Sequence, residues 1–403
     1  MSIISKVKKV VFKIIKIIYK LFYKYVKVDN NLVLFIAYHG KGYLCNPKYI
    51  HEYMINNEEY SNYKFIWAVK NKKDISIPNS KVVRYNGLLY FYYLARSKYW
   101  IFNCKMPKYI LKKENQIYLQ TWHGTPLKRL AHDIEIGDDK TFYRSKMSRE
   151  EMKESYDIDV ARYNYFISPN NFSTEKFKSA FKVKEDIIIE TGYPRNDFIT
   201  NIKDEEIIKI KEKYNIPLDK KVILYAPTWR DNSFNNKGYT FELKVDFNLW
   251  KKTLGNEFVV IFKPHYLIVN KYKNDNLNGF LYSIDENEDI NNLYVISDIL
   301  VTDYSSVFFD YSILKRPIYF YMYDLEEYKE DLRGFYLNIY KDLPGDIIED
   351  ENDLVNKLKN HKLYLEENIN KLNEFNSIYN SFQDGNCSEK VTEILFKKQD
   401  KKG

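Results

Sequence analysis

Short apolar runs that alternate with amphipathic helical stretches decide what this chain can fold into. A first series comprises Leu32 to Ala37, Tyr63 to Ala68, Lys81 to Arg84, Tyr99 to Phe102, Gln116 to Leu119, Tyr165 to Ile167 and Ile187 to Glu190. A charged helical segment, Glu205 to Tyr214, and a turn at Pro217 separate it from a second series: Val222 to Tyr225, Phe258 to Phe262, Ile299 to Val301 and Pro317 to Tyr321. Strands that are apolar on both faces and joined through helices belong in parallel sheets covered on both sides. The pattern therefore predicts an α/β protein of two doubly wound, Rossmann-type sheets in tandem with a cleft between them. A chain of 403 residues has room for two or three domains of ~100–200 residues each. The predicted division is 1–29, a basic amphipathic helix; 30–203, a first α/β domain; 204–349, a second; and 350–403, a charged helical cap.

The excess of 63 Lys plus Arg over 55 Asp plus Glu has a definite location. Between residues 3 and 27, Lys6, Lys9, Lys13, Lys16, Lys20, Lys24 and Lys27 recur at helical spacing, opposite Ile4, Val7, Val11, Ile14, Ile15, Ile18, Leu21, Phe22 and Tyr25, and no acidic residue precedes Asp29. A helix with a cationic stripe and an apolar face suits the surface of an anionic membrane. The competing reading is a domain helix that packs its apolar face on a core. The interleaved residues are mostly aliphatic and few could stack on bases, so no nucleic-acid partner is expected. Cys45, Cys104 and Cys387 are too far apart to form a metal motif or a disulfide framework. No run is long and apolar enough to span a bilayer, and no metal or other cofactor is expected.

The chemistry-bearing residues sit in turns directly after the strand-like runs. In doubly wound sheets, that edge is where ligands bind. Gln120-Thr121-Trp122-His123-Gly124-Thr125-Pro126 places an imidazole beside a glycine turn, a setting for a base that takes a proton from an alcohol. Lys263-Pro264-His265 puts a cation and a histidine where they could meet phosphoryl oxygens. In Thr302-Asp303-Tyr304-Ser305-Ser306, two hydroxyls stand at a helix start, either as ordinary caps or as part of a phosphate site, with Asp310 on the same face of the first turns. Arg195 in Gly192-Tyr193-Pro194-Arg195 and the Ala226-Pro227-Thr228-Trp229-Arg230 turn add guanidinium groups at two more strand ends.

Taken in order, HGTPLKRL (from His123), GYPRND (from Gly192), APTWRD (from Ala226), KPH, TDYSSVFFD and RGFY (Arg333 to Tyr336) resemble the CDP-glycerol glycerophosphotransferase family of teichoic acid and capsule synthesis. Gly40-Lys41-Gly42-Tyr43-Leu44-Cys45-Asn46-Pro47 and Asp384-Gly385 resemble that family's opening and closing elements. The likeness runs from about residue 33 to 390. It implies a GT-B-like architecture and transfer of glycerol phosphate from CDP-glycerol to a hydroxyl of a lipid-linked or polymer acceptor, releasing CMP. The same resemblance makes His123 the base and lets His265, with Arg195, hold or protonate the donor's phosphates. Gly124, Thr125, Pro126, Leu127, Lys263 and Pro264 line the substrate. Pro227 and Thr228 lie near cytidine, Ser305 and Ser306 take the pyrophosphate, and Asp310 takes a hydroxyl. CDP-ribitol or a nucleotide sugar are the alternative donors. An acceptor held in a membrane places the protein peripherally on the membrane's cytoplasmic face. The length, with no large domain ahead of the first strand, points to addition of one or few units.

Overall fold

The computed structural model describes residues 3–72, 75–134, 147–228, 234–235, 238–239, 244–263, 277–285, 287–326 and 334–397, with side chains of the first helix described from residue 10. Pro264, His265, Trp229, Arg230 and Arg333 lie outside the described residues.

Helix α1 (Ile3–Tyr25) leads into β1 (Asp29–Ile36), α2 (Cys45–Ile55), β2 (Lys64–Val69), β3 (Ser80–Arg84), α3 (Leu88–Arg96), β4 (Ser97–Phe102) and β5 (Ile117–Gln120). There follow α4 (Arg149–Val160), β6 (Tyr165–Ser168), α5 (Asn171–Phe181), β7 (Ile188–Glu190) and α6 (Asn196–Asn201). These strands form one sheet in the order β3-β2-β1-β4-β5-β6-β7, with every pairing parallel. After α7 (Asp204–Lys213) come β8 (Lys221–Ala226), a two-residue hairpin of β9 (Phe234–Asn235) and β10 (Gly238–Tyr239), α8 (Phe247–Leu254) and β11 (Phe258–Phe262). Then follow β12 (Leu281–Ser283), α9 (Ile290–Ile296), β13 (Ile299–Thr302), α10 (Val307–Tyr311), β14 (Ile318–Tyr321) and β15 (Ile347–Ile348). The second sheet is also parallel, ordered β12-β11-β8-β13-β14-β15. The strand order reverses between β1 and β4 in one sheet and between β8 and β13 in the other, and each reversal opens a crevice at the carboxyl edge.

Burial on both faces explains the near-continuous apolar runs. In β1, Leu32, Leu34 and Ile36 enter one core cluster, while Val33 and Phe35 enter the cluster on the opposite face. The second sheet is sandwiched in the same way, with Val259 and Ile261 on one side and Phe258, Val260 and Phe262 on the other. This is the expected GT-B-like pair of doubly wound sheets. The strands of the two large sheets missed by sequence, β12 and β15, are short and lie at the sheet edges, and the two-residue strands β9 and β10 of the hairpin are missed as well.

The C-terminal helices do more than cap. The helix His361–Tyr379 places Leu372, Phe375 and Tyr379 in the second domain's core, and Tyr379 O accepts from Asn170 Nδ2 of the first domain at 2.6 Å. The next helix, Cys387–Thr392, carries the chain back, so that Val391, Leu395 and Phe396 complete the first domain's core. Phe396 meets Tyr99 and Tyr63 at centroid distances of 4.4 and 4.9 Å.

Helix α1 packs one face on the first domain, as the competing reading of its sequence expects. Phe12, Tyr19 and Phe22 pack on Tyr109, Phe91 and Tyr92 at 5.8, 5.1 and 5.6 Å. The Tyr19 hydroxyl donates to Leu111 O at 2.6 Å and accepts from Leu111 N at 3.0 Å. A second stripe, Val10, Ile14, Ile17, Leu21 and Tyr25, stays outside, each residue 51–68% exposed. Among the described residues no helix is long and apolar enough to cross a membrane.

Candidate functional site

The chain leaves β5 through a strained turn. Trp122 adopts φ +51, a left-handed conformation that a bulky residue takes only when its surroundings enforce it. Here its N–H donates to Gln120 Oε1 at 3.0 Å, and its ring packs on Phe181 and Phe177 at 4.7 and 6.2 Å. Asn46 Nδ2 donates to the carbonyls of Thr121 and Trp122, each at 3.1 Å. The turn brings His123 to the reversal point of the first sheet. Its Nδ1 lies 2.7 Å from Asn103 O at the end of β4, and its ring meets Tyr38 at 5.5 Å, edge to face.

That contact decides the tautomer. A carbonyl can only accept, so Nδ1 carries the hydrogen and Nε2 keeps its lone pair. Burial pushes the His123 pKa down to about 4; the Asn103 carbonyl opposes this, and the charges of Arg195 and His39 add to it. The ring is therefore neutral near pH 7, with a proton-accepting nitrogen directed away from Asn103.

Two neighbours were not singled out in the sequence. Asn103 fixes the imidazole through its carbonyl and, with Oδ1, accepts from Tyr38 N at 2.8 Å. His39 follows Tyr38 in a turn where both have positive φ, 54 and 45, ahead of Gly40. Burial first, and then the charges of Lys70 and Lys105, hold His39 below its ordinary value. The signal that could have found both was their position: each follows a strand that flanks the reversal.

Arg195 and Asp310 are placed against each other, not in open space. Arg195 Nη2 donates to Asp310 Oδ2 at 2.5 Å, and Asn196 Nδ2 donates to Oδ1 at 2.9 Å. Arg195 Nη1 donates to His123 O at 2.7 Å, Arg195 N to Asn46 Oδ1 at 3.1 Å, and Asn291 Nδ2 of α9 to Arg195 O at 2.5 Å. Both ionic side chains are almost wholly buried, at 6% and 3% exposure, and together they tie the His123 turn to α10. A second cross-domain tie lies beside it, where Asp289 Oδ2 accepts from Lys48 Nζ at 2.8 Å and from the Tyr49 hydroxyl at 2.9 Å.

The structure brings Gly124 to the helix-start serines. A Cβ on Gly124 would lie 3.4 Å from Ser306 Oγ and 3.8 Å from Arg195 Nη2, so the two turns lie within van der Waals reach of each other. Ser306 makes no side-chain cap bond to α10, and Ser305 Oγ accepts from Val307 N at 3.5 Å. Thr228 N donates to Asp303 Oδ1 at 2.8 Å, which joins the turns after β8 and β13 at the second reversal. Pro227, Thr125 and Pro126 are buried, and Lys263 Nζ donates to Asp285 O at 2.6 Å. Leu127, expected at the substrate, is 4% exposed and belongs to the second domain's core. Among the described residues no cluster of His, Cys, Asp or Glu could hold a metal ion.

The Arg195–Asp310 tie makes a stability prediction. Arg195→Ala strands a buried carboxylate and should destabilise the protein by about 3–5 kcal/mol, whereas Arg195→Met with Asp310→Leu should recover most of that loss. Denaturant midpoints of the two variants check it. A double variant no more stable than the single would mean that the pair is not the chief partner of either group.

Residues 17–397 match the family model for CDP-glycerol:poly(glycerophosphate) glycerophosphotransferase. The teichoic acid poly(glycerol phosphate) polymerase of Staphylococcus epidermidis is 41% identical over 378 residues, covering 92% of this chain but only 52% of that protein, so the chain spans about half the length of this relative. The enzyme of the same name from Bacillus spizizenii is 40% identical over 404 residues, covering 98% of this chain and 97% of that one. The solved structure of the wall teichoic acid polymerase TagF superposes with a TM-score of 0.90 at 38% identity, covering 99% of this chain and 97% of the other. This chain belongs to the CDP-glycerol:poly(glycerophosphate) glycerophosphotransferase family.

Proposed function

We propose that this protein transfers glycerol phosphate from CDP-glycerol to an alcohol of a teichoic-acid-type acceptor and releases CMP. The observation that carries the reading is a neutral, carbonyl-anchored His123 whose turn abuts Ser306 across the cleft, in a chain of this family. The acceptor oxygen forms a bond to the β-phosphorus while the bond from that phosphorus to the bridging oxygen breaks. CMP leaves with the electron pair, and His123 Nε2 takes the alcohol proton. Little covalent chemistry is left to the protein, so positioning and charge stabilisation carry the rate.

In this reading the Ser305–Ser306 turn meets the pyrophosphate, Pro227 and Thr228 stand near cytidine, and Lys263, Pro264 and His265 serve the leaving phosphate. Arg195 and Asp310 act through position, by holding the His123 turn against α10. An imidazole with a pKa near 4 is a weak base. Two donor phosphates nearby would favour its charged form and bring it closer to working pH. The relative from B. spizizenii, matched over nearly its whole length, is a polymerase, so chain length gives no reason to favour addition of one or few units.

A donor screen tests the reading. CDP-glycerol should support CMP release in the presence of an acceptor, with CDP-ribitol and UDP-sugars at least tenfold slower, and His123→Ala should lower turnover by about 10²-fold or more. Because only the neutral ring is a base, kcat/KM should fall as pH drops through about 4, the value to which burial pushes His123 in the free protein. Near-normal turnover of His123→Ala, or a limb centred at the ordinary value of about 6.5, would contradict the assignment.

The outer stripe of α1 supports a peripheral place on the cytoplasmic face of an anionic membrane, where the acceptor is anchored. Ile14, Ile17 and Leu21 point away from the domain, with Lys13, Lys20 and Lys24 also exposed. Each lysine near the surface adds roughly 1 kcal/mol of attraction. Ile14→Ser, Ile17→Ser and Leu21→Ser together should abolish cosedimentation with anionic liposomes and leave circular dichroism unchanged, since none of the three makes the contacts that Tyr19 makes. Undiminished sedimentation of this variant would move membrane contact to another surface.

A further inference from the structure

The turn that carries His123 is fastened at its far end to the other domain. Leu127 inserts into the second domain's core, in the same cluster as Tyr304, Phe308 and Leu337. Past it, the two domains pair backbone to backbone. Tyr336 N donates to Leu127 O at 2.8 Å, Arg129 N donates to Gly334 O at 3.0 Å, and Lys128 faces Phe335 in an antiparallel bridge. The Tyr336 hydroxyl accepts from Leu130 N at 3.2 Å and donates to Asp133 Oδ2 at 2.6 Å. That carboxylate oxygen also accepts from Ser179 Oγ at 2.6 Å. Phe335 stacks on Tyr304 at 6.2 Å and 23°, next to the serine turn. Gly334 has φ +76, and a Cβ there would come within 3.1 Å of Arg129 Nε.

We infer that this interdomain strand pair, closed by the Tyr336 hydroxyl on Asp133, positions His123, and that Tyr336 and Leu127 are positioning residues for the transfer reaction. The inference rests on the reading of His123 as the base. Asn46 and Asn103 hold its start within the first domain, but a left-handed Trp122 stores strain that a loose continuation would release. The continuation is held by the domain assigned to the donor. The base therefore reaches its place only while that domain is docked against the turn.

The imidazole titration reports this placement independently of turnover. The groups facing His123 are the Asn103 carbonyl, the Tyr38 ring, His39 and Arg195, the last neutralised by Asp310 and next to Cys45. If the turn loosens, the ring regains water and its pKa climbs from about 4 toward its ordinary value.

The test uses the full chain with labelled histidines, the His123 signal being assigned by its loss in His123→Gln. Tyr336→Phe should raise the His123 titration midpoint by at least one pH unit and lower kcat by about tenfold or more. KM for CDP-glycerol should change less than about twofold, because an interaction made in the transition state is lost and no donor contact is removed. Asp133→Ala removes the same anchor from the other side and should reproduce both effects if Tyr336→Phe does not fold. A titration that stays at the parent value in the folded variants overturns the inference, even if the melting temperature drops. A titration that moves while turnover does not leaves the strand pair in place as the positioning element and removes His123 as the base.

Discussion

The Arg195–Asp310 contact is the constraint on which the arrangement of the cleft depends. Two opposite charges that are almost fully removed from water must be satisfied by each other and by nearby dipoles, or the fold loses several kcal/mol. Arg195 meets that demand by bonding in three directions: to Asp310 in the second domain, to the His123 carbonyl and, through its own backbone, to Asn46 and Asn291. Because a guanidinium is a rigid planar fork, its partners acquire fixed distances from one another. The His123 turn and α10 are thereby set by one group. A lysine would carry the charge without this geometry.

Electrostatics and mechanics act together on His123. Burial keeps the ring neutral, and a backbone carbonyl chooses which nitrogen holds the hydrogen. A side-chain carboxylate at that position would have fixed the same tautomer but would also have stabilised the protonated ring. A carbonyl is a weaker partner for the cation, which under the proposed function leaves the donor's phosphates to raise the ring's basicity. In such a site basicity rises with occupancy, and a ring facing an empty cleft remains a poor base.

Much of this was legible in the sequence, for physical reasons that differ from element to element. The strands of both sheets were found because parallel strands buried on both faces must be apolar without interruption, as Phe258 to Phe262 are. The edge strands Leu281–Ser283 and Ile347–Ile348 were not found, since a two- or three-residue strand leaves no period to read. His123, Ser305 and Ser306 were placed at strand ends, and the structure brings their turns together. The meeting of Arg195 with Asp310 could not be read, because each looks like a phosphate- or hydroxyl-binding residue until its distance to the other is known. Leu127 looked like part of a substrate motif, yet its apolar side chain is spent on the neighbouring domain's core. Asn103 acts chiefly through a backbone carbonyl, a group that every residue owns and no sequence reveals.

The return of the chain to the first domain also bears on biosynthesis. Val391, Leu395 and Phe396 fill a core whose other walls, among them Tyr63 and Tyr99, come from the first half of the sequence. On a ribosome, that core stays unfilled until the whole second domain has emerged, although domains commonly fold in order as they appear. Pairing residues this distant is slow, and the apolar face beneath Phe396 stays open to solvent in the meantime. The first domain's core is thus completed only after the second domain has been made, so the two halves of the protein mature together instead of one after the other.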